Sequence, residues 1–152
     1  MGKRMVILGA AESGVGAAVL AQKKGFDVFV SDMGKIKPHY VDMLDRYEIA
    51  WEDGGHTEGL VLNADEVIKS PGIPEDAPMV LKVKEAGIPI ISEIEFAGRY
   101  THAKMICITG SNGKTTTTSM VSEILLHAGT DPTLSIGGML KSIGGKIRVG
   151  NN

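Results

Sequence analysis

A glycine- and threonine-rich stretch, TGSNGKTTT at Thr109–Thr117, separates the short apolar run MICIT from a long segment of helical character. Glycines let consecutive backbone N–H groups turn inward around an anion. The N-terminus of the helix that follows adds unpaired donors and a partial positive charge. The stretch therefore predicts a phosphate-binding loop for ATP, set between a strand and a helix, and this requires an α/β fold.

The spacing of this loop departs from the common form G-x-x-x-x-G-K-[ST], which would place a glycine where the chain has Ile108. Lys114 still follows a glycine at the start of the helix. We expect Lys114 to be catalytic, as a cation for the β- and γ-phosphates, and Thr115 to be a Mg²⁺ ligand. A helix start without a ligand is the weaker interpretation, because β-branched threonines disfavour a helix. The predicted ATP-binding residues are Gly110, Ser111, Asn112, Gly113, Lys114, Thr115 and Thr116.

Short β-branched runs alternate with helical patterns along the chain, which indicates a parallel sheet flanked by helices. The predicted strands are Met5–Gly9, Asp27–Asp32, Ala50–Trp51, Glu66–Ser70, Pro89–Ser92 and Met105–Thr109. The predicted helices are Gly14–Lys24, Val41–Tyr47, Met79–Ala86, Ile94–Tyr100 and Lys114–His127. The predicted fold class is α/β, a Rossmann-like parallel sheet flanked by helices and followed by the start of a P-loop ATPase domain.

A domain boundary is expected near Ala103, with a Rossmann-like domain at 1–102 and the N-terminal part of an ATP-binding domain at 103–152. Nucleotide-hydrolysing α/β domains generally need more than about 100 residues. We therefore expect 103–152 to be incomplete and the 152-residue chain to be inactive by itself. The apolar helical stripe of Met120, Val121, Ile124 and Leu125 is interpreted as core, with dimerisation as an alternative.

Composition narrows the function classes. A formal net charge of −2 without a basic cluster argues against nucleic acid as a partner. No apolar run approaches the roughly 20 residues that span a bilayer, and no signal-peptide pattern is present. Cys107, the only cysteine, excludes an internal disulfide and favours a cytoplasmic location. We expect Cys107 to be buried in a strand, and none of the four scattered histidines to bind metal.

A second glycine turn, GAAESG at Gly9–Gly14, follows the first predicted strand. It matches the dinucleotide fingerprint G-x-G-x-x-G except at Ala11, whose methyl group partly blocks the close approach of a pyrophosphate. Asp32 ends the second strand, where an acidic residue contacts a ribose. These residues favour a nucleotide, with NAD or FAD among the ligands, over a purely structural turn.

Two further features lie at predicted strand and helix ends. Ser70-Pro71-Gly72 forms a rigid turn after the fourth strand, at the edge where open α/β sheets bind ligands, although a purely structural turn is an alternative. Glu93 and Glu95 flank Ile94 at a predicted helix start, where negative charge suits the helix dipole. We interpret this pair as structural.

Taken together, these loops resemble the Mur ligases of peptidoglycan synthesis. TGSNGKTTT is similar to the ATP signature of that family, including the missing glycine at Ile108. GAAESGVGAA, Ser31-Asp32, SPGI at Ser70–Ile73 and ISEIEFAGRY at Ile91–Tyr100 most resemble the member that adds D-glutamate. The resemblance covers residues 3 to about 129.

The resemblance implies that 1–102 is a UDP-binding domain rather than a dinucleotide-binding one. Ser13 and Gly14 would hold a UDP phosphate, and Asp32 would accept a hydrogen bond from the uracil imide or its neighbourhood. Ser70, Pro71 and Gly72 would line the uracil pocket. With ATP and Mg²⁺, the enzyme would phosphorylate the carboxylate of UDP-N-acetylmuramoyl-L-alanine, and the D-glutamate amine would attack the acyl phosphate to give an amide, ADP and phosphate.

The tail departs from this pattern, because SIGGMLKSIGG at Ser135–Gly145 is more similar to the L-alanine-adding member of the family. An L-alanine ligase is therefore an alternative. Others are a dinucleotide-dependent oxidoreductase or sensor module, and a non-catalytic interaction protein. Titration with NAD, FAD and UDP would separate the ligand classes.

Overall fold

The apolar runs of the N-terminal part form one sheet in the computed structural model, which describes residues 2–150 except for the side chains of 146 and 147. The chain divides into two compact units, Met1–Thr101 and His102–Asn152. In the first unit the strands are β1 (Arg4–Leu8), β2 (Asp27–Asp32), β3 (Ala50–Asp53), β4 (Glu66–Lys69) and β5 (Ile90–Ile91). Its helices are α1 (Glu12–Lys23), α2 (Pro38–Arg46), α3 (Glu58–Val61), α4 (Pro78–Glu85) and α5 (Glu93–Gly98).

The sheet of the first unit is parallel, with the strand order β3-β2-β1-β4-β5. Residues 5–8 of the central strand β1 are all fully buried. A parallel sheet covered by helices on both faces requires such continuous apolar strands. The predicted Rossmann-like α/β fold is confirmed.

The pleat of β1 divides the core into two layers, because successive side chains point to opposite faces of a sheet. Met5 and Ile7 pack in the layer that contains the buried residues of α1, α2 and α5. Val6 and Leu8 pack in the other layer, with buried residues of α3 and α4. Helices on both faces leave the carboxyl ends of the strands as the accessible edge of the sheet.

Most predicted elements of the first unit are present, with shifted ends. β2 has the predicted bounds, whereas α2 begins at Pro38, three residues before the predicted start at Val41. Proline fits the first turn of a helix, where its missing N–H would have no partner. The single-turn helix α3 was not predicted, because four residues are too short to show a helical period.

The second unit contains α6 (Lys114–His127), β6 (Leu134–Leu140), a 3₁₀ turn at Lys141–Ile143 and β7 (Gly145–Arg148). α6 has the predicted bounds. β6 and β7 form an antiparallel hairpin that was not predicted, because glycines interrupt the apolar alternation of this part of the sequence. Leu134 and Ile136 are buried on one face of β6.

Three expectations for the second unit are wrong. Residues 105–109 contain no strand, and Met105 and Ile106 are 60% and 59% exposed. Cys107 is exposed rather than buried. A strand needs hydrogen-bonded neighbours, and the strands described in this unit, β6 and β7, pair with each other. In the stripe on α6, Met120 and Ile124 are exposed rather than part of a core.

No helix among residues 2–150 combines the length and apolar character required to cross a bilayer.

Among the residues that the structure describes, Phe96 of α5 is the largest fully buried side chain. Its ring centroid lies 5.8 Å from that of Phe26 and 5.2 Å from that of Tyr100, in edge-on geometry. We expect Phe96→Ala to lower the free energy of unfolding by about 3–5 kcal/mol, because it removes buried apolar area and leaves a cavity. Leu81→Ala, at a site on α4 that is 44% exposed, should change it by less than about 1 kcal/mol. Urea titration followed by the fluorescence of Trp51 measures both, and similar losses in the two variants would contradict the assignment of the core.

Candidate functional site

The strand order places the turns after β1 and β4 side by side at the carboxyl edge of the sheet. The chain runs outward from β1 in one direction through β2 and β3, and in the other through β4 and β5. In open α/β sheets, ligands bind outside the carboxyl ends of the strands where this direction changes. The turns at Gly9–Gly14 and Ser70–Ile73 therefore define the candidate site of the first unit.

The first and last glycines of the first turn are both required by close contacts. A Cβ atom on Gly14 would lie 2.0 Å from the carbonyl oxygen of Gly9. Gly9 has φ +99°, and its Cβ would lie 2.9 Å from the side chain of Ser70. These contacts place the start of α1 directly beyond the end of β1. Ala11, at the middle position of the fingerprint, is the N-cap of α1, and no side-chain hydrogen bond caps this helix start.

Asp32, predicted to contact the ligand, is held by backbone donors. Its Oδ2 accepts the N–H of Ala10 at 2.7 Å, and its Oδ1 accepts the N–H of Gly34 at 2.8 Å. The N–H of Gly9 donates to the carbonyl of Ser31 at 3.0 Å. The end of β2 thus fixes the glycine turn, and a contact of Asp32 with a ligand stays a prediction.

A cavity of about 150 Å³ opens between this turn and the start of α2. Besides residues of the turn, it is lined by Asp32, Lys35, Ile36, Lys37 and Tyr40. Lys35 pairs with Asp53 at 2.6 Å. The carboxylate, the Lys37 ammonium and the aromatic ring suit a nucleotide, which combines an aromatic base with hydroxyl and phosphate groups. Lys35, Lys37 and Tyr40 were missed by the sequence analysis, because no motif marks the segment between β2 and α2.

A larger open depression of about 470 Å³ lies beside the Ser70 turn and is lined by Lys69, Pro71 and Glu75 among others. The Lys69 ammonium already donates to the carbonyls of Ser70 and Ile73 and pairs with Glu75 at 3.0 Å. The smaller cavity borders the glycine turn and the end of β2, at the edge of the sheet where open α/β folds bind ligands, and is therefore the better candidate for a ligand.

A polar network supports the end of β2 from the side of β3. The buried Ser31 hydroxyl donates to Glu52 Oε1 at 2.7 Å and lies 2.6 Å from His56 Nδ1. Burial lowers the pKa of His56, although the nearby carboxylates of Glu52 and Asp32 act to raise it. Burial raises the pKa of Glu52, but hydrogen bonds from Thr57 and Ser31 outweigh it and the pKa is lowered. Near neutral pH the network therefore contains a carboxylate and a neutral imidazole.

The two serines predicted to bind ligand share a partner that the sequence analysis interpreted only as a helix-end charge. Glu93 is 6% exposed, and its Oε1 accepts the hydroxyl of Ser13 at 3.0 Å and also the hydroxyl of Ser70. Of the neighbouring predicted residues, Pro71 and Gly72 are exposed on the turn and Gly14 is buried. No local pattern marks Glu93, because its partners are 80 and 23 residues away.

In the second unit, residues 109–113 form a loop that ends at the start of α6, as predicted, and the remaining residues of TGSNGKTTT form the first turn of that helix. Gly113 is the N-cap with φ +78°, and no side chain caps the helix. Lys114 Nζ donates to the carbonyls of Gly110 and Ser111. The methyl group of Thr115 lies close to β6, because a Cβ atom on Gly138 would come within 2.8 Å of it. An uncapped helix start, a lysine and an exposed threonine fit a nucleotide phosphate with its Mg²⁺. Ser111 and Asn112 are exposed in the loop, and Thr116 is exposed in the first turn of α6.

Comparison with protein families matches the MurD N-terminal domain to residues 4–79 and the Mur ligase middle domain to residues 108–151. The chain belongs to the Mur ligase family. The predicted resemblance is thereby confirmed for both glycine-rich turns.

Relatives of this Mur ligase chain include two UDP-N-acetylmuramoylalanine–D-glutamate ligases. That of Bacteroides thetaiotaomicron is 71% identical over 126 residues, which are 83% of this chain and 28% of the relative. That of Porphyromonas gingivalis is 60% identical over 131 residues, which are 86% and 29%. The chain thus spans less than a third of the length of these curated relatives.

Solved structures of the family share the fold. The UDP-N-acetylmuramate-alanine ligase MurC of Thermotoga maritima is 26% identical with a TM-score of 0.58, over 98% of this chain and 35% of its own. The UDP-N-acetylmuramate:L-alanyl-gamma-D-glutamyl-meso-diaminopimelate ligase of Neisseria meningitides is 26% identical with a TM-score of 0.64, over 98% and 47%. The likeness to D-glutamate ligases is much higher in sequence.

Two glycines of α1 form a matched pair for testing the geometry of the turn. We expect Gly14→Ala to lower the free energy of unfolding of this Mur ligase chain, because the added methyl group would collide with the Gly9 carbonyl. Gly16→Ala, where nothing lies within 4 Å of the new methyl group, should raise it by about 0.5–1 kcal/mol through helix propensity. Urea titration distinguishes the two signs, and stabilisation by both substitutions would contradict the described contact.

The His56 network predicts a pH dependence of stability. The folded protein binds a proton on His56 less readily than the unfolded chain does, because burial lowers the folded pKa below 6.5. The contribution of His56 to the free energy of unfolding is therefore full above the pKa of the unfolded chain. It is lost as the pH falls toward the pKa of His56 in the folded protein. The free energy of unfolding should therefore fall between about pH 7 and pH 5, and His56→Gln should flatten the fall. The free energies of unfolding are measured by urea titration at each pH. An equal fall in wild type and in His56→Gln would contradict this assignment.

Proposed function

We propose that the protein is an ATP-dependent amide ligase of peptidoglycan precursor synthesis that adds D-glutamate to UDP-N-acetylmuramoyl-L-alanine. The observation that carries the proposal is that both glycine-rich turns lead into helix starts without a side-chain cap, those of α1 and α6, in a chain 71% identical over 126 residues to a D-glutamate ligase. A helix start without a side-chain cap offers its N–H groups to phosphate. The proposal includes a location in the cytoplasm, where ATP for the predicted reaction would be present.

The first unit supplies the UDP site of the proposal. The N-terminus of α1, at Ser13 and Gly14, would receive a phosphate, and the cavity beside Asp32 would take the nucleoside. Ser70, Pro71 and Gly72 would border the uracil from the neighbouring turn. Support comes from the cavity of about 150 Å³ and its mixed aromatic and charged lining.

The second unit supplies the ATP loop. Residues 110–116 would surround the phosphates with backbone N–H groups, and Lys114 would exchange its carbonyl partners Gly110 and Ser111 for phosphate oxygens. Thr115 would place its hydroxyl on Mg²⁺, which when bound screens the phosphate charge. Support comes from the left-handed Gly113, which turns the loop directly into the helix.

The proposed reaction needs both nucleotides because a carboxylate is a poor electrophile. Transfer of the γ-phosphoryl group to the carboxylate of UDP-N-acetylmuramoyl-L-alanine releases ADP and forms an acyl phosphate. The D-glutamate amine then attacks the acyl carbon, loses a proton and releases phosphate. Lys114 would offset the negative charge that accumulates on the transferred group. The whole protein should release phosphate from ATP with UDP-N-acetylmuramoyl-L-alanine and D-glutamate, but not with UDP-N-acetylmuramate and L-alanine. The opposite result would indicate an L-alanine ligase.

Residues 1–152 by themselves are expected to bind nucleotides without forming the amide, since they match only 28–30% of the length of the D-glutamate ligases. Amide formation by the 152-residue chain would contradict this part of the proposal.

The UDP site predicts a choice between nucleotides. At one hundred times its dissociation constant, UDP should add about 2.7 kcal/mol to stability and raise the Tm by on the order of 10 °C. NAD should give a small shift, because the methyl group of Ala11 stands at the middle position of the fingerprint. Differential scanning calorimetry of the 152-residue chain measures both shifts. A shift with NAD and none with UDP would favour the oxidoreductase or sensor alternative.

The ATP loop predicts a specific lysine dependence. Lys114→Met should weaken ATP binding at least about tenfold, because a hydrogen-bonded charge on the phosphates is worth about 1.5–3 kcal/mol. Lys104→Met removes the same charge from an exposed position outside the loop and should leave the affinity within about twofold. Isothermal titration calorimetry provides the comparison. Equal effects of the two substitutions would indicate a general charge effect instead of a loop contact.

A further inference from the structure

We propose that Glu93 is a positioning residue of the nucleotide site, which holds the glycine turn and the Ser70 turn in the geometry that receives UDP. This inference rests on the proposed function. It extends the site to a residue that contacts no predicted ligand group and acts through two serines. The hydrogen bonds of Ser13 and Ser70 to Glu93 Oε1 are called the Glu93 tie below.

The Glu93 tie joins three chain segments where the direction of the sheet changes. Ser13 lies in the first turn of α1, Ser70 directly follows β4, and Glu93 begins α5 after β5. One carboxylate oxygen accepts both hydroxyls. These are the segments that border the crevice in which open α/β sheets bind their ligands. A single acceptor thus fixes the separation of the two turns.

The surroundings leave the tie little freedom. On one side, Ser70 presses against Gly9, where there is no room for a side chain. On the other, α5 is anchored by the fully buried Phe96 and by the Ser92 hydroxyl, which accepts the N–H of Glu95 at 3.1 Å. Glu93 itself is 6% exposed. A movement of Glu93 would therefore displace both turns together.

The Glu93 tie also determines whether the serine hydroxyls can donate a hydrogen bond to a ligand or only accept one. A hydroxyl group has one proton to donate, and both serines direct it to Glu93. Their oxygens then have only lone pairs left, whereas phosphate oxygens need donors. While the tie holds, the phosphate must be received by backbone N–H groups at the start of α1. The serines contribute by position, and a neutral amide oxygen at position 93 would accept the same two hydroxyls.

The experiment compares Glu93→Ala and Glu93→Gln with the matched control Glu95→Ala in the 152-residue chain. Glu95 lies in the same first turn of α5, is exposed and pairs only with Arg99 among the described ion pairs, so that its removal reproduces the loss of a helix-end charge. Two readouts are taken well below the Tm of each variant. The first is the backbone amide NMR spectrum without ligand, and the second is the dissociation constant of UDP by calorimetry.

We expect Glu93→Ala to shift the amide signals of both turns, Gly9–Gly14 and Ser70–Ile73, and to weaken UDP binding about tenfold. Glu93→Gln should retain the wild-type signals and bind UDP within about threefold of wild type, since it keeps the acceptor oxygen. Glu95→Ala should resemble wild type in both readouts. In the Glu93→Ala background, adding Ser70→Ala should have little further effect, because the two residues act as one unit.

Unchanged amide signals in either turn of Glu93→Ala would overturn the inference, as would UDP binding by Glu93→Ala equal to that of Glu93→Gln. If wild type bound no UDP at all, the proposed function would fail. The positioning claim would then be decided by the ligand-free spectra alone. Should Glu93→Ala not fold, the Ser13→Ala/Ser70→Ala double variant provides the same comparison without altering the carboxylate.

Discussion

The close contact between Gly14 and the carbonyl oxygen of Gly9 is the constraint on which the first unit depends. Because neither glycine has a side chain, α1 begins directly above the end of β1 and covers one face of the sheet. The same contact brings the first N–H groups of α1 to the carboxyl edge, beside the ends of β2 and β4. The fold and the candidate site thus arise from one backbone arrangement.

The two units use one physical device at different glycine-rich turns. Each has a helix whose N-terminal donors are left without a side-chain cap, at Ala11 in α1 and at Gly113 in α6. The details differ, and in the proposed function they correspond to different phosphates. The turn before α1 contributes no lysine, whereas α6 begins with Lys114, whose side chain reaches back to the carbonyls of the loop. A lysine is useful where phosphate is transferred, and static N–H groups suffice where it is only held.

Features with a short sequence range could be predicted, and those that depend on distant neighbours could not. The α/β fold, β2 and α6 follow from local apolar periodicity and from glycines at turns. The strand expected at 105–109 has a suitable composition, yet composition does not supply a neighbouring strand to pair with. Glu93 is the same case within the site. Its sequence context resembles any acidic helix start, and its role emerges only when β1, β4 and β5 lie side by side.

The double hydrogen bond at Asp32 bears on how such a site can change over evolution. The acidic residue that ends β2 is the position through which sheets of this type adjust their preference among nucleotides. Here both of its oxygens also support backbone N–H groups, at Ala10 and Gly34. A replacement that lacks two acceptor oxygens would alter the turn together with the ligand preference. New specificity is therefore more accessible through Lys35, Lys37 and Tyr40, which line the cavity without holding the glycine turn.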